Sequence, residues 1–180
     1  EIAKGVPIEE AGRFGETNGA SMRIVPVGAV SDARNLIGLV DKVRLACSPT
    51  HNTGVAIAGA AAVAAAVATG LGSRNASPEE ALKAAIAAAG LGQKQGFEVF
   101  APSVARRIEL GLSLVRGRGD TAEEATLDLY EVVGTGLPTQ ESVPTALSLV
   151  LLARGDPLVC ARLAANLGGD TDTIGAMSVG

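Results

Sequence analysis

The chain has 180 residues, of which 47% are hydrophobic and 19% charged. That suits one folded domain with a real core and excludes a disordered chain. Aromatics make up only 2%, Gly accounts for 23 residues, and the net charge is −4 with 15 basic residues. This excludes an immunoglobulin-like sandwich, an aromatic platform for single-stranded nucleic acid, and binding driven by phosphate neutralisation.

The core must come from Ala, Val, Leu and Ile at close approach. Residues 1–26 are rich in Gly, Glu, Asn and Ser without a sustained period and read as a loop. Ser31 is a candidate cap for a helix in which Leu36, Val40, Val43 and Cys47 recur at helical spacing, ending near Ser48-Pro49. Thr50 to Ala68 reads as an Ala-rich helix closed by Gly70 and Gly72. Its apolar run, Val55 to Ala68, falls short of the roughly 20 residues a membrane span needs, so burial inside a bundle is expected.

Ser77-Pro78-Glu79-Glu80 is a helix start by capping box and first-turn Pro. That helix is expected to run to Gly90. Val104, Ile108, Leu112 and Val115 form another apolar stripe. Thr121 and Glu124 suggest a second capping box, opening a helix through Leu127 to Val132. Gly134 to Thr139 reads as loop and Glu141 to Ala153 as a buried helix. Asp156-Pro157 starts the next helix, Gly168-Gly169 breaks it, and a last helix is expected from Asp172 or Thr173. No alternating strand pattern and no internal repeat stands out. The expectation is an all-α, compact multi-helix bundle forming a single domain over 1–180. Cys47 and Cys160 sit in apolar helical patterns and read as buried free thiols. These residues contain no leader-like segment, and the expected location is cytoplasmic.

Four segments could carry chemistry. The sharpest is Gly168-Gly169-Asp170-Thr171-Asp172-Thr173, where carboxylates and hydroxyls crowd behind two glycines. Hard divalent cations take oxygen ligands of this kind. In a continuous helix Asp172 would point about 200° away from Asp170. A shared ion therefore needs Asp170 ahead of the helix, in a turn the glycines permit. Alternatively, Asp170 or Asp172 simply caps the helix. The second segment, Gly15-Glu16-Thr17-Asn18-Gly19, can expose backbone N–H groups to a phosphate or ribose, or be an ordinary surface loop. Arg23 behind it could pair with a carboxylate or meet an anionic ligand. His51, the one histidine, stands where a helix N-terminus suits an anion, or is merely hydrogen-bonded. Glu141 reads as a first-turn, dipole-matched acid.

In this order the segments resemble the landmarks of the ADP-ribosylglycohydrolase family. They are Asn18-Gly19-Ala20-Ser21-Met22-Arg23, Thr50-His51 opening an Ala-rich helix, Glu141-Ser142-Val143-Pro144, and Asn166 through Gly175 with its Gly-Gly-Asp-Thr-Asp-Thr-Ile core. The resemblance covers the chain from about Gly12 to Gly180. It implies an all-α fold with a two-magnesium centre at the base of a cleft. Asp170, Asp172 and Thr173 are similar to one trio of metal ligands. Gly15, Glu16, Thr17, Asn18 and Gly19 resemble the loop around the ribose and diphosphate, and His51 the histidine near the diphosphate. The implied activity is hydrolysis between ADP-ribose C1 and a modified side chain or small molecule. The implied partner is an ADP-ribosylated protein or an ADP-ribose-containing small molecule, with no nucleic acid and no membrane.

The sequence departs from the family by lacking its N-terminal landmarks: a Gly-Asp-Ala-Leu-Gly-like segment, a Thr-Asp-Asp-Thr-like trio of further metal ligands, and an acidic catalytic residue expected before Glu1. Two expectations follow. The chain is the C-terminal part of a longer enzyme, or it is a short homologue with one ligand trio that binds ADP-ribose or a nucleotide, or packs with a partner, without catalysis. Self-association could supply the missing half-site.

Overall fold

The computed structural model describes residues 2–118 and 121–180, and its regular elements are helices. Ile8–Ala11 (α1) and Val25–Ala29 (α2) are short. Leu36–Cys47 (α3), Gly54–Gly72 (α4), Pro78–Gly92 (α5) and Val104–Val115 (α6) follow. Ala122–Asp128 (α7) runs into a π-turn at Leu129–Val133. Thr139–Leu152 (α8), Pro157–Leu167 (α9) and Thr171–Val179 (α10) complete the bundle. The only strand-like pairings among the described residues are the isolated bridges Thr17–Pro138 and Thr53–Phe97. The all-α expectation holds.

The element α4 is the axle. It packs most extensively on α5 and also meets α2, α3 and α8. Ala56, Ile57, Ala58, Ala60, Ala61, Ala62, Ala64 and Ala65 are fully buried. A helix buried on all sides needs small residues all round, since every neighbour must approach its backbone. A Cβ on Gly92 of α5 would lie 2.9 Å from the Ala58 Cα, and one on Gly59 would collide with the Thr139 methyl of α8. At 19 residues, α4 is by length and composition able to cross a membrane, although 78% of its apolar window is buried by the other helices. Gly70 and Gly72 do not close the helix; it runs through both to a Ser73 cap and so reaches the length that the Val55 to Ala68 run lacks.

Local signals placed the starts of α5 and α9. Ser77 and Glu80 form the full capping box of α5, and Asp156 accepts from the backbone N–H groups of Leu158 and Val159 at the start of α9. Other expectations are corrected. The segment read as loop over 1–26 contains α1, the start of α2 and a 3-10 turn at Ser21–Arg23, while Glu1 lies outside the described residues. Ser31 does not cap α3. It donates back to the Val27 carbonyl, and the Asn35 side chain accepts from the Gly38 N–H instead.

The Ala-rich helix starts at Gly54 under a Thr53 cap rather than at Thr50. The Asn52 N–H is taken by the Gly12 carbonyl and the Gly54 N–H by that of Phe97, so the preceding residues are held in an extended crossing. Thr121 makes no capping bond, and Glu124 turns to Arg118. The helix expected to reach Val132 widens into the π-turn, α8 begins earlier, at Thr139, and α10 at Thr171.

Both cysteines are buried and free. Burial pushes the Cys47 thiol up to about 12, and burial together with nearby Asp156 pushes Cys160 up to about 11. Because the thiolate is the reactive form, neither should react with a disulfide reagent at neutral pH until denaturant unfolds the chain. Rapid labelling of native protein would contradict this. For packing, Gly59→Ala should cost about 1–3 kcal/mol by overpacking, despite the better helix propensity of Ala. Gly70→Ala, where a Cβ meets open space, should instead stabilise by up to about 1 kcal/mol. Urea denaturation of the two variants reads both signs.

Candidate functional site

Four loops from distant parts of the chain meet at one end of α4 and α8. The first is the 12–20 segment, the second the 48–53 crossing, the third the 134–138 loop before α8, and the fourth the Gly168–Asp170 turn before α10. The first is held by its backbone. The Glu16 carbonyl accepts from the Thr139 hydroxyl at 2.8 Å and from its N–H at 3.3 Å. The Gly15 carbonyl accepts from the Thr53 hydroxyl at 2.6 Å, and the Asn18 N–H donates to Leu137. Gly15 is required by close approach, since a Cβ there would run into the Thr50 carbonyl. The side chains of Glu16 and Thr17 are left exposed.

Asn18 is the junction. It is 2% exposed, and its carboxamide nitrogen donates to Asp170 Oδ2 at 2.6 Å and to Ser142 Oγ at 2.9 Å. Gly168 and Gly169 both take positive φ, 85° and 74°, which turns the chain so that the Asp170 N–H donates to the Thr135 carbonyl at 2.8 Å. Asp170 therefore precedes α10, as a shared ion requires. Its carboxylate makes no capping bond to the helix backbone. It accepts instead from Asn18 and, through Oδ1, from the Thr173 hydroxyl at 3.1 Å.

The simple capping role for Asp170 is thus replaced by a side-chain network. Asp172 lies in the first turn of α10 and is exposed. Asp170 and Thr173 present oxygens on one face, a donor type that fits a hard cation. Among the described residues, however, no three His, Cys, Asp or Glu side chains cluster into a metal-holding group. The local set has too few ligands to enclose magnesium on its own.

His51 lies ahead of α4 rather than inside it. Its Nε2 is 3.0 Å from the Thr17 hydroxyl and its Nδ1 2.8 Å from the Thr50 hydroxyl. The ring covers Gly19, where a Cβ would sit 3.0 Å from both Cε1 and Nε2. Burial, helped by the Arg23 charge, lowers the His51 pKa below its ordinary 6.5. Arg23 donates to the Thr50 hydroxyl at 2.6 Å and to the Ala46 carbonyl, rather than pairing with a carboxylate. Glu141 accepts from the Gly136 N–H at 3.1 Å and so holds the 134–138 loop.

Sequence reasoning named Ser142 only inside a motif and did not single out Thr135 or Thr139. Each is a small polar residue whose role is a contact to a loop far away in sequence. A groove of about 920 Å³ between α7 and α9, lined by Tyr130, Arg162, Asn166 and Gly168 among others, opens beside the Gly168 turn.

A family model for ADP-ribosylglycohydrolase matches residues 1–178. The chain is also 44% identical over 177 residues to the uncharacterized protein YegU of Escherichia coli (strain K12), covering 98% of this chain and 52% of that protein. The chain thus spans about half the length of the curated relative it matches.

The His51 environment predicts a titration. Proton NMR of the one imidazole should give a midpoint below 6.5, and Arg23→Gln should raise it by removing a like charge. A wild-type midpoint above 6.5 would contradict the burial argument.

Proposed function

The chain belongs to the ADP-ribosylglycohydrolase family, and from that premise we propose that it forms the ligand loop and one acidic half-site of a magnesium-dependent hydrolase. The bond cleaved joins ADP-ribose C1 to a modified side chain or small molecule. One observation carries the reading: the Asn18 amide joins the 15–19 loop directly to Asp170, 152 positions away. Two segments without shared local structure are held in one place, and a surface loop plus a capped helix would not need that bond.

In this reading the 15–19 loop, braced by Thr139, Thr53 and His51, lies along the ribose and diphosphate. Asp170, Asp172 and Thr173 would supply part of the ligand set of a magnesium ion, completed by groups outside this half-site. Bound there, the ion would orient the ribose hydroxyls and polarise an attacking water. The chain's own part is positional and electrostatic. Asn18 fixes which way the Asp170 carboxylate faces, and Thr173 holds its other oxygen. Departure of the leaving group builds positive charge on the sugar, which carboxylates at this end of the bundle stabilise.

The proposed partner is an ADP-ribosylated protein or an ADP-ribose-containing small molecule, and the proposed location is the cytoplasm. The small ligand set of this half-site favours a second reading in which the chain binds ADP-ribose without cleaving it.

The test is calorimetry with ADP-ribose and magnesium, followed by release assays on arginine- and serine-linked conjugates using the full gene product. Asn18→Ala should weaken magnesium binding by about 10–100-fold, the usual effect of removing the partner that orients a ligand. Binding without release by the full gene product would favour the second reading. No ADP-ribose binding, with or without magnesium, would sink both.

A further inference from the structure

We propose that Arg23, Thr50 and His51 form a polarised relay that holds the imidazole as its Nε2–H tautomer and frees the Thr17 hydroxyl proton to face an anionic ligand oxygen. The chain of contacts is continuous. Arg23 Nη2 donates to Thr50 Oγ1 at 2.6 Å, Thr50 Oγ1 is 2.8 Å from His51 Nδ1, and His51 Nε2 is 3.0 Å from Thr17 Oγ1.

Arginine can only donate, so its bond occupies a lone pair of the Thr50 oxygen. The Thr50 proton then has Nδ1 as its acceptor. The opposite arrangement would aim an Nδ1–H at an oxygen already serving a cation and would leave the Thr50 proton without a partner in the relay. A hydroxyl that accepts from a guanidinium is also a better donor. With Nδ1 accepting, a neutral ring carries its proton on Nε2 and donates it to Thr17. The Thr17 oxygen is satisfied by that bond, and its own proton can turn away from the ring.

The backbone holds the ring in this pose. Gly19 lies against Cε1 and Nε2, and a Cβ on Gly12 would stand 2.7 Å from the His51 backbone nitrogen, so the chain beneath the ring is closely packed as well. Arg23 is anchored a second time on the Ala46 carbonyl. The lowered pKa of His51 keeps the ring neutral near pH 7. Arg23, Thr50 and His51 are therefore positioning residues that act through Thr17. The outward role of Thr17 rests on the proposed function, because it takes the 15–19 loop as the ligand loop; the tautomer does not.

His51 is the one histidine in the chain, so nitrogen NMR of the labelled protein reads its ring without ambiguity. At neutral pH the wild type should show a protonated Nε2 and a bare Nδ1. Thr50→Val should let the Nδ1–H form appear, and Thr50→Ser should restore the wild-type pattern. Arg23→Met, at an exposed position, provides the same comparison if Thr50→Val fails to fold.

A wild-type ring protonated mainly on Nδ1 would overturn the relay. So would a tautomer that folded Thr50→Val and Arg23→Met leave unchanged. Thr17→Val should keep the Nε2–H form and weaken ADP-ribose binding by about tenfold, the loss of one hydrogen bond to a charged oxygen. Unchanged affinity would overturn the outward role of Thr17. A wild-type chain that binds no ADP-ribose would remove the ligand-loop reading and that role with it, while the ring nitrogens would still decide the relay.

Discussion

The buried carboxamide of Asn18 is the constraint on which this end of the molecule depends. A buried amide left unpaired costs about 1–3 kcal/mol, so its donors must find acceptors. Here both acceptors come from elsewhere in the fold: Ser142 on α8 and Asp170 at the head of α10. For the two to be reached at once, α8 and α10 must dock with their N-terminal ends together, and the 15–19 loop must cross over both. Binding by a charged oxygen makes the Asp170 contact the stronger of the two. The same bond fixes the carboxylate of the residue with most to offer a cation.

The small-residue composition serves that geometry. The loops can converge because α4 lets neighbouring helices approach its backbone, as at Gly59 against Thr139 and Ser21. Thr139 is both the residue packed on α4 and the donor to Glu16. A larger side chain at 59 would push α8 outward and carry away the contact that braces the ligand loop. The scarcity of aromatics and the abundance of Ala and Gly are thus conditions for placing polar loops over the end of a thin, largely buried helix.

Much of the fold was legible because its signals are local. The Ser77–Glu80 box, the Asp156-Pro157 start and the apolar stripe from Val104 to Val115 each lie within a few turns of chain. The failures are equally physical. Asn35 displaced Ser31 as a cap because either residue type can serve and the choice rests on which side chain reaches a free N–H. Thr53 displaced Thr50 because residues 52–54 spend their backbone bonds on Gly12 and Phe97, which no window around position 50 contains. At the site, the motif spacing located Asp170 ahead of its helix, and the glycines give that turn its positive φ. The partners of Asp170 were not legible, since Asn18 and Thr135 reach it across 152 and 35 positions of sequence.

The proline inside α8 shows how a local defect is turned to the same purpose. Pro144 has no N–H to offer the Gln140 carbonyl one turn earlier. That carbonyl accepts from Arg107 Nε of α6 at 3.1 Å instead, and the same guanidinium reaches the Val133 carbonyl at the end of the π-turn. One cation therefore clamps both ends of the 134–138 loop to α6. Within that loop, Gly136 is held by Glu141 while Thr135 presents its carbonyl to the Asp170 N–H. An uninterrupted helix would satisfy Gln140 internally and leave Arg107 with one carbonyl fewer to bridge. The backbone bond missing inside α8 thus lets a helix outside the site help set the height at which the Asp170 turn sits.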